Sequence, residues 1–539
     1  MSEEKITQKE TAVSESSRKQ VLQAAGLVGV LVLVARLFGL VREMFVNSSL
    51  GLGTLQAEAF AIASRFPESI FLIVAGGAIG AAFIPTFTAY FENDDEVGGW
   101  HLFSAVINLV LVVVTIISIL AMIFAQDLVL FLAHEKVAAN PELLPLTTML
   151  MRIMLLSTII FGASGVVMAA LNARQHFFLP ALAPTIYTLG IIGGGAFWIL
   201  TGRELVSVGF AVGTVVGALG HLLIQLPGLK HKQAHYSLVL TIRDRGVIQV
   251  LKLMAPRVLG LSFSEINKFV TVLLTDMMLW GSLPALNAAF RLIIMPQGII
   301  GQALGIAAFP TLASLATRSA FDEMRQILSD SLRILLFLGL PVTAVFMLLG
   351  KPIVTIIFEH GRFDSEATQL VTFALFFYAL GLIPLMALEV TNRTFYALSD
   401  TLTPVLAGGV QIVLMWALSV WFSTRLFPNL GYLSLGGLAL GFSLSNLAEM
   451  AVLLWLLRGR IGGINGRSLF DGFWRMFVAT VLMSMMIWLV IRPLSEASVW
   501  VQLIIGGSVG AIIYIGACYL LQLKELHRFL NYGLQRLKR

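Results

Sequence analysis

A single cysteine stands in 539 residues, Cys518 within IIYIGACYLLQ, so no disulfide framework can hold this fold. Its apolar neighbours make it a core-packing residue. Charge is also scarce: 12% of residues are charged and 58% are hydrophobic, with a mean hydropathy of +0.88. A soluble fold of this length has no use for so much apolar surface and is excluded. The alternating segments of about ten residues that build an outer-membrane barrel are missing. So are a Gly-rich phosphate loop, a nucleophile elbow and an HExxH helix, and nothing reads as an enzyme or as needing a cofactor. His231 and His235 have the helical spacing of metal ligands, but their loop is basic and offers no acidic or cysteine companion, so no metal site is expected. The start, MSEEKITQKETAVSESSRKQ, has no short apolar core or cleavage site of a signal peptide. Residues 1–21 read as a disordered cytoplasmic tail. The net charge of +6 reflects membrane topology, and no nucleic acid is expected as a partner.

What the chain does have is apolar runs of about 20 residues or more, the length of a spanning helix. The fold class is an all-α polytopic membrane protein with about fourteen transmembrane helices. They lie roughly at 22–46, 57–90, 102–125, 146–171, 178–200, 205–228, 247–279, 283–316, 329–350, 367–397, 403–424, 433–458, 469–492 and 498–522. Pro67, Pro256, Pro296 and Pro384 fall inside spans and should break the local hydrogen-bond ladder. With the N-terminus inside, the inner loops collect Lys230, Lys232, Arg243, Arg245, Arg318, Arg325, Arg458, Arg460 and Arg467. The outer loops hold fewer, among them Lys136, Arg203 and Lys351. By the positive-inside rule both termini are cytoplasmic. The basic tail 523–539 is amphipathic and reads either as a surface-lying membrane helix or as a solvated helix end.

The two halves repeat each other. VARLFGL (34–40) echoes PRVLGL (256–261), AIGAAFIPT (78–86) echoes ALGIAAFPT (303–311), and NARQHFFLPALA (172–183) echoes YALSDTLTPVLA (396–407). Arg36 thereby aligns with Arg257, and Arg65 comes close to Arg291. The expected organisation is a 22–228 N-lobe and a 247–460 C-lobe, each of six helices and related by a pseudo-two-fold axis. A basic cytoplasmic loop at 229–246 separates them, and two further helices follow at 461–522. An even number of spans per repeat sets both copies the same way up, and in such transporters the substrate site lies between the repeats.

Arginines lie deep in these spans. A cation at a helix centre costs on the order of 2.5–3.5 kcal/mol on insertion scales, so such residues face a bundle interior or a wet cavity. Arg36, Arg42 and Arg291 are the candidates to line a cavity for an anion. Glu58, Arg65 and Glu68 flank Pro67, either as a self-compensating polar cluster or as a gate of breakable ion pairs, with Glu58 the better gate residue. Glu265 and Lys268 are three apart and can pair on one helix face. Gly76 and Gly80 offer a small-xxx-small packing pattern.

The string FEHGRFDSEATQLVTFALFFYALGLIP (358–384), followed by NRTFYALSDTLTPV (392–405), closely resembles the MurJ/MviN family of lipid II flippases, in the MOP exporter superfamily. ARLFGLVREMFV, AEAFAIASRFPESI and FRLIIMPQGIIGQALGIAAFPTLA match it as well, and the resemblance covers about 22–520. It implies two facing six-helix lobes around a cationic cavity for a pyrophosphate-linked headgroup. It also implies an apolar groove of the last two helices for the lipid tail. The substrate would be lipid II, an undecaprenyl-pyrophosphate glycopeptide, flipped from the inner to the outer leaflet of the bacterial inner membrane by alternating access. Partners would be lipid II, membrane lipids and cell-wall synthesis proteins. Arg36, Arg42 and Arg291 match cavity arginines of the family, and Glu58 stands where it has a gate aspartate. Two positions depart: Phe71 replaces an arginine of the second helix, and Gly76 replaces an acid; Arg65 is the substitute cation. The eleventh span has no acid, so the sodium site of some members is not expected. The alternatives from the residues are another MOP-type exporter, for a different lipid-linked polysaccharide or for cationic drugs, and a membrane scaffold. Arginines argue against a cation as cargo.

Overall fold

The structure is a computed structural model and describes residues 29–73 and 79–528. The expected tail 1–21, the end of the basic tail and Gly76 lie outside the described residues. Every regular element described is helical. Helix α1 covers 29–50 and is followed by α2 (Leu55–Ala63), α3 (Arg65–Ile73), α4 (Ile79–Glu92), α5 (Glu96–Ile123), α6 (Ala125–Leu132) and α7 (His134–Ala139). Next come α8 (Leu143–Ala173), α9 (Phe178–Leu200), α10 (Val206–Leu223), α11 (Leu226–His231) and α12 (Arg245–Thr275). After α13 (Ser282–Pro296) and a π-helical stretch (Gln297–Gln302) come α14 (Ala303–Thr317), α15 (Phe321–Leu348), α16 (Gly350–Phe358), α17 (Ser365–Ala379) and α18 (Leu382–Ala397). The chain closes with α19 (Leu402–Trp421), α20 (Phe427–Asn429), α21 (Ser434–Ile461), α22 (Gly466–Ile491) and α23 (Val499–Leu520).

Among the described residues, ten helices are long and apolar enough to cross a membrane, or up to eleven if one bent pair counts as a span. The bent pair is α17 and α18, at 46°. Three of the expected fourteen fall outside this count. The first begins among residues that are not described. The second is broken between α2 and α3 and includes residues 74–78, which are not described. The seventh, α12, carries Lys252, Arg257, Glu265 and Lys268 and is not among the counted helices.

Proline explains two of the breaks. Its ring clashes with the carbonyl four residues earlier, and it has no N–H to give it. Pro67 therefore ends α2 at Ala63, and Pro384 ends α17 just before Leu380. Pro296 is followed by the π-helical turn, a local widening of the helix. Helix α12 runs through position 256 as one element, so the break expected there does not form.

The chain divides into two compact units: Met1–Val46 with Leu55–Glu265, and Asn47–Thr54 with Ile266–Arg539. The division falls inside α12, later than the loop 229–246 at which the sequence suggests it. The loop is tied to the first unit. Asn108 of α5 donates to the carbonyls of Ser237 (3.1 Å) and Val239 (2.9 Å), and the Tyr236 hydroxyl donates to its Oδ1 (2.7 Å). The Asp244 carboxylate then accepts from the Gly246 and Val247 amides at the start of α12. Val247 and Val250 are buried in one core with Phe83, Phe87, Trp100 and Val166.

Close glycine packing occurs between α9 and α10. A Cβ on Gly190 would lie 2.2 Å from the Gly217 Cα, and one on Gly194 would lie 2.4 Å from the Gly209 carbonyl. Gly190 and Gly194 on one helix and Gly209, Gly213 and Gly217 on the other let the backbones touch. Gly80, expected in such a contact, has nothing within 4 Å of its Cβ position.

In the second unit, Phe337 of α15, Met476, Met483 and Ile487 of α22, and Tyr514 and Cys518 of α23 form a core. The start of the basic tail packs into it: Leu523 is 1% and Leu526 5% exposed. Glu525 accepts from buried Arg333 Nε of α15, and Arg528 pairs with Asp330 at 3.0 Å. Residues 523–528, the described start of this tail, are thus docked on protein along one face. Two leucines and an acid paired with a buried arginine bind it there.

Candidate functional site

The first unit carries most of the expected site residues. Arg42 on α1 pairs with Glu43 at 3.3 Å, both largely sheltered, and lies within electrostatic reach of Tyr187 and Glu68. Arg36 is half-buried on the same helix, a turn and a half earlier. Arg65 is buried at the start of α3 and meets Glu68 at 3.8 Å. Arg257, the repeat partner of Arg36, is exposed on α12. Arg291 is exposed on α13, in the second unit.

Glu58 pairs with a residue far along the chain. Its carboxylate is fully buried on α2 and is paired with the Lys136 ammonium of α7, itself 3% exposed. Lys136, assigned from the sequence to an outer loop, is a buried partner. The sequence marks each charge separately, Glu58 as an acid inside an apolar span and Lys136 as a lone lysine in FLAHEKVAA, but not their pairing. Glu265 accepts a hydrogen bond from the Ser69 hydroxyl at 2.6 Å, which ties α12 to α3 within the first unit.

A cavity of about 390 Å³ opens in this unit. Phe71, Phe161, Tyr187 and His221 line one part of it. The Phe71 and Phe161 rings stand 4.2 Å apart, and Phe161 meets the Tyr187 ring at 5.0 Å and the His221 ring at 5.3 Å, both edge-on. Phe71, which stands where the resemblance expects an arginine, is therefore part of an aromatic wall. Asn172 and Thr188 add polar lining, and Ala35, next to Arg36, places α1 at the rim. Behind the wall, His221 Nδ1 lies 2.7 Å from the Ser164 hydroxyl, and Gln225 donates to that hydroxyl and to the His221 carbonyl. Sequence reasoning overlooked His221, although it is the one histidine in the apolar run VGALGHLLIQL.

The second unit has its own polar cluster on the element aligned with the first repeat. Gln297 of the π-helical turn donates to Glu389 at 2.9 Å, and Arg393 meets the same carboxylate at 3.6 Å, one turn along α18. Among the described residues no group of three or more His, Cys, Asp or Glu could hold a metal ion.

The family model described as lipid II flippase MurJ matches residues 46–506. The chain belongs to the lipid II flippase MurJ family. A lipid II flippase MurJ of Burkholderia cenocepacia is 26% identical over 470 residues, covering 85% of this chain and 88% of the relative. A protein of Buchnera aphidicola subsp. Acyrthosiphon pisum, named a probable lipid II flippase MurJ, is 25% identical over 514 residues, 93% of this chain and 98% of its own. Among solved structures, a lipid II flippase MurJ in an inward closed conformation superposes with a TM-score of 0.76 at 22% identity, covering 92% of this chain and 99% of its own. An inward-facing multidrug resistance MATE transporter of the MOP superfamily gives 0.69 at 16% identity, covering 80% and 98%. These two likenesses show a shared fold. Membership in the MurJ family and the apolar helices make this a multi-pass inner-membrane protein.

Proposed function

We propose that this protein flips lipid II, the undecaprenyl-pyrophosphate-linked glycopeptide, from the inner to the outer leaflet by alternating access. The observation that carries the reading is the family match over 46–506. The intramembrane arginines give it chemistry. A pyrophosphate cannot enter hydrocarbon unpaired, because its desolvation is too costly. Guanidinium groups offset that cost through short, charge-assisted and often bidentate hydrogen bonds. We assign Arg36, Arg42 and Arg291 to the pyrophosphate and Arg65 to a supporting charge. Glu58, locked to Lys136, is the gate residue: an ion pair that must separate for the path to open. Transport here involves no bond making, and the protein acts as a carrier rather than an enzyme. The basic inner loops support cytoplasmic termini.

A cation or drug exporter of the same superfamily would want carboxylates where these arginines stand. The test is complementation of a strain depleted of its own flippase, using Arg36→Ala and Arg291→Ala. The expected result is loss of rescue with normal membrane insertion. Rescue at the wild-type level by both variants would sink the assignment.

A further inference from the structure

The cavity of the first unit is open on one side, mostly apolar and aromatic, with a few polar groups. Its volume of about 390 Å³ lies at the small end of ligand pockets, which run about 300–1,000 Å³. Three aromatic side chains, Phe71, Phe161 and Tyr187, meet at centroid distances of 4.2 and 5.0 Å. The face of an aromatic ring is weakly negative and attracts polarised C–H groups. Asn172 brings an amide with both donor and acceptor capacity, and His221 a ring whose far side is anchored on Ser164. C–H-binding faces next to a few fixed polar groups match one face and one edge of a pyranose. An isoprenoid would cover the aromatic faces but offer the Asn172 amide no hydrogen-bond partner, at a cost of desolvation.

Position agrees with chemistry. Ala35 at the rim is the neighbour of Arg36, and Tyr187 in the wall is within electrostatic reach of Arg42. The sugar of a lipid-linked precursor is attached directly to the pyrophosphate. A guanidinium that holds the pyrophosphate therefore brings the first sugar next to it.

We propose that this cavity is a sugar subsite, which takes the pyrophosphate-linked N-acetylated pyranose of the substrate against Phe71 and Phe161, with Asn172 reading its amide or hydroxyls. The proposal rests on the flippase reading above and goes beyond it by naming specificity residues. Phe71 has exchanged charge for a stacking surface, so the second helix reads sugar here rather than phosphate.

The experiment measures binding of lipid II and of undecaprenyl pyrophosphate, which has no sugar, to the full-length protein in nanodiscs. Phe71→Leu keeps bulk and removes the aromatic face; Asn172→Leu removes the amide at a partly exposed position where folding is not at stake. Each should weaken lipid II binding about tenfold and leave undecaprenyl pyrophosphate binding within about twofold, a loss of about 1.4 kcal/mol for lipid II alone. Arg36→Ala should weaken both ligands. Equal weakening of both ligands by Phe71→Leu and Asn172→Leu would mean that the cavity holds the isoprenoid, and would overturn the proposal. Unchanged binding of both ligands would overturn it too. A wild-type protein that binds neither ligand would instead overturn the flippase reading itself.

Discussion

The buried pair of Glu58 and Lys136 gives the sharpest energetic prediction. Glu58 is 0% and Lys136 3% exposed, so neither charge can recover hydration when its partner is removed. Taking one member from a buried pair typically costs about 3–5 kcal/mol, whereas replacing both with apolar residues of similar volume is often neutral or stabilising. Lys136→Met alone and Glu58→Met alone should each lose about 3–5 kcal/mol, roughly 150- to 5,000-fold in the folded-to-unfolded ratio. The double variant should lose far less than either single one. The assay is equilibrium unfolding in mixed micelles titrated with a denaturing detergent, run on all four proteins. The double variant should also move substrate without its gate pair, with the outer opening less tightly closed. Additive losses, or single losses below about 1 kcal/mol, would refute the reasoning, because they would show that the two charges are solvated or independent.

Three other outcomes follow from the packing. Gly194→Leu puts a side chain where the Gly209 carbonyl already lies 2.4 Å from a Cβ, so α9 and α10 must separate; a loss of about 1–3 kcal/mol or more in thermal unfolding is expected. Glu525→Ala leaves the buried Arg333 guanidinium without its carboxylate and should destabilise the second unit by about 3 kcal/mol, read as faster proteolysis at α22 and α23. At the α18–α19 loop, burial alone would raise the Asp400 carboxyl, but the Thr403 hydroxyl and amide and the Arg460 guanidinium at 2.8 Å hold it below its ordinary value. Its folded pKa is depressed, so its contribution is complete above the unfolded value and is lost as pH falls through the folded one. Asp400→Asn should flatten the acid limb of a pH–stability profile below about pH 4, compared with wild type.

The sequence made some of this legible and hid the rest for physical reasons. Pro67 and Pro384 mark their helix breaks because the clash with the carbonyl four residues back is local. Spans of neutral composition could be located because membrane length and hydropathy impose themselves residue by residue. Helix α12 is a single helix although Lys252, Arg257, Glu265 and Lys268 lie along it. Partners distant in the chain were not legible. Nothing near Lys136 announces Glu58, 78 positions earlier, and nothing near Glu525 announces Arg333. The close backbone contact at 190–194 against 209–217 was not legible, since a small residue permits close approach without specifying its partner. Arg36 and Arg42 stood out by the cost of charge in an apolar run. The aromatic wall did not, because phenylalanine is unremarkable in a membrane helix until Phe71, Phe161 and Tyr187 are seen side by side.

The central claim is that this chain carries lipid II across the bilayer, and leaflet distribution reads that out directly. In a host depleted of its own flippase and expressing this protein, lipid II accessible at the outer face should be restored to the wild-type level, and Arg36→Ala should leave it accumulated on the inner face. Lipid II that stays on the inner face despite correctly inserted wild-type protein would contradict the account.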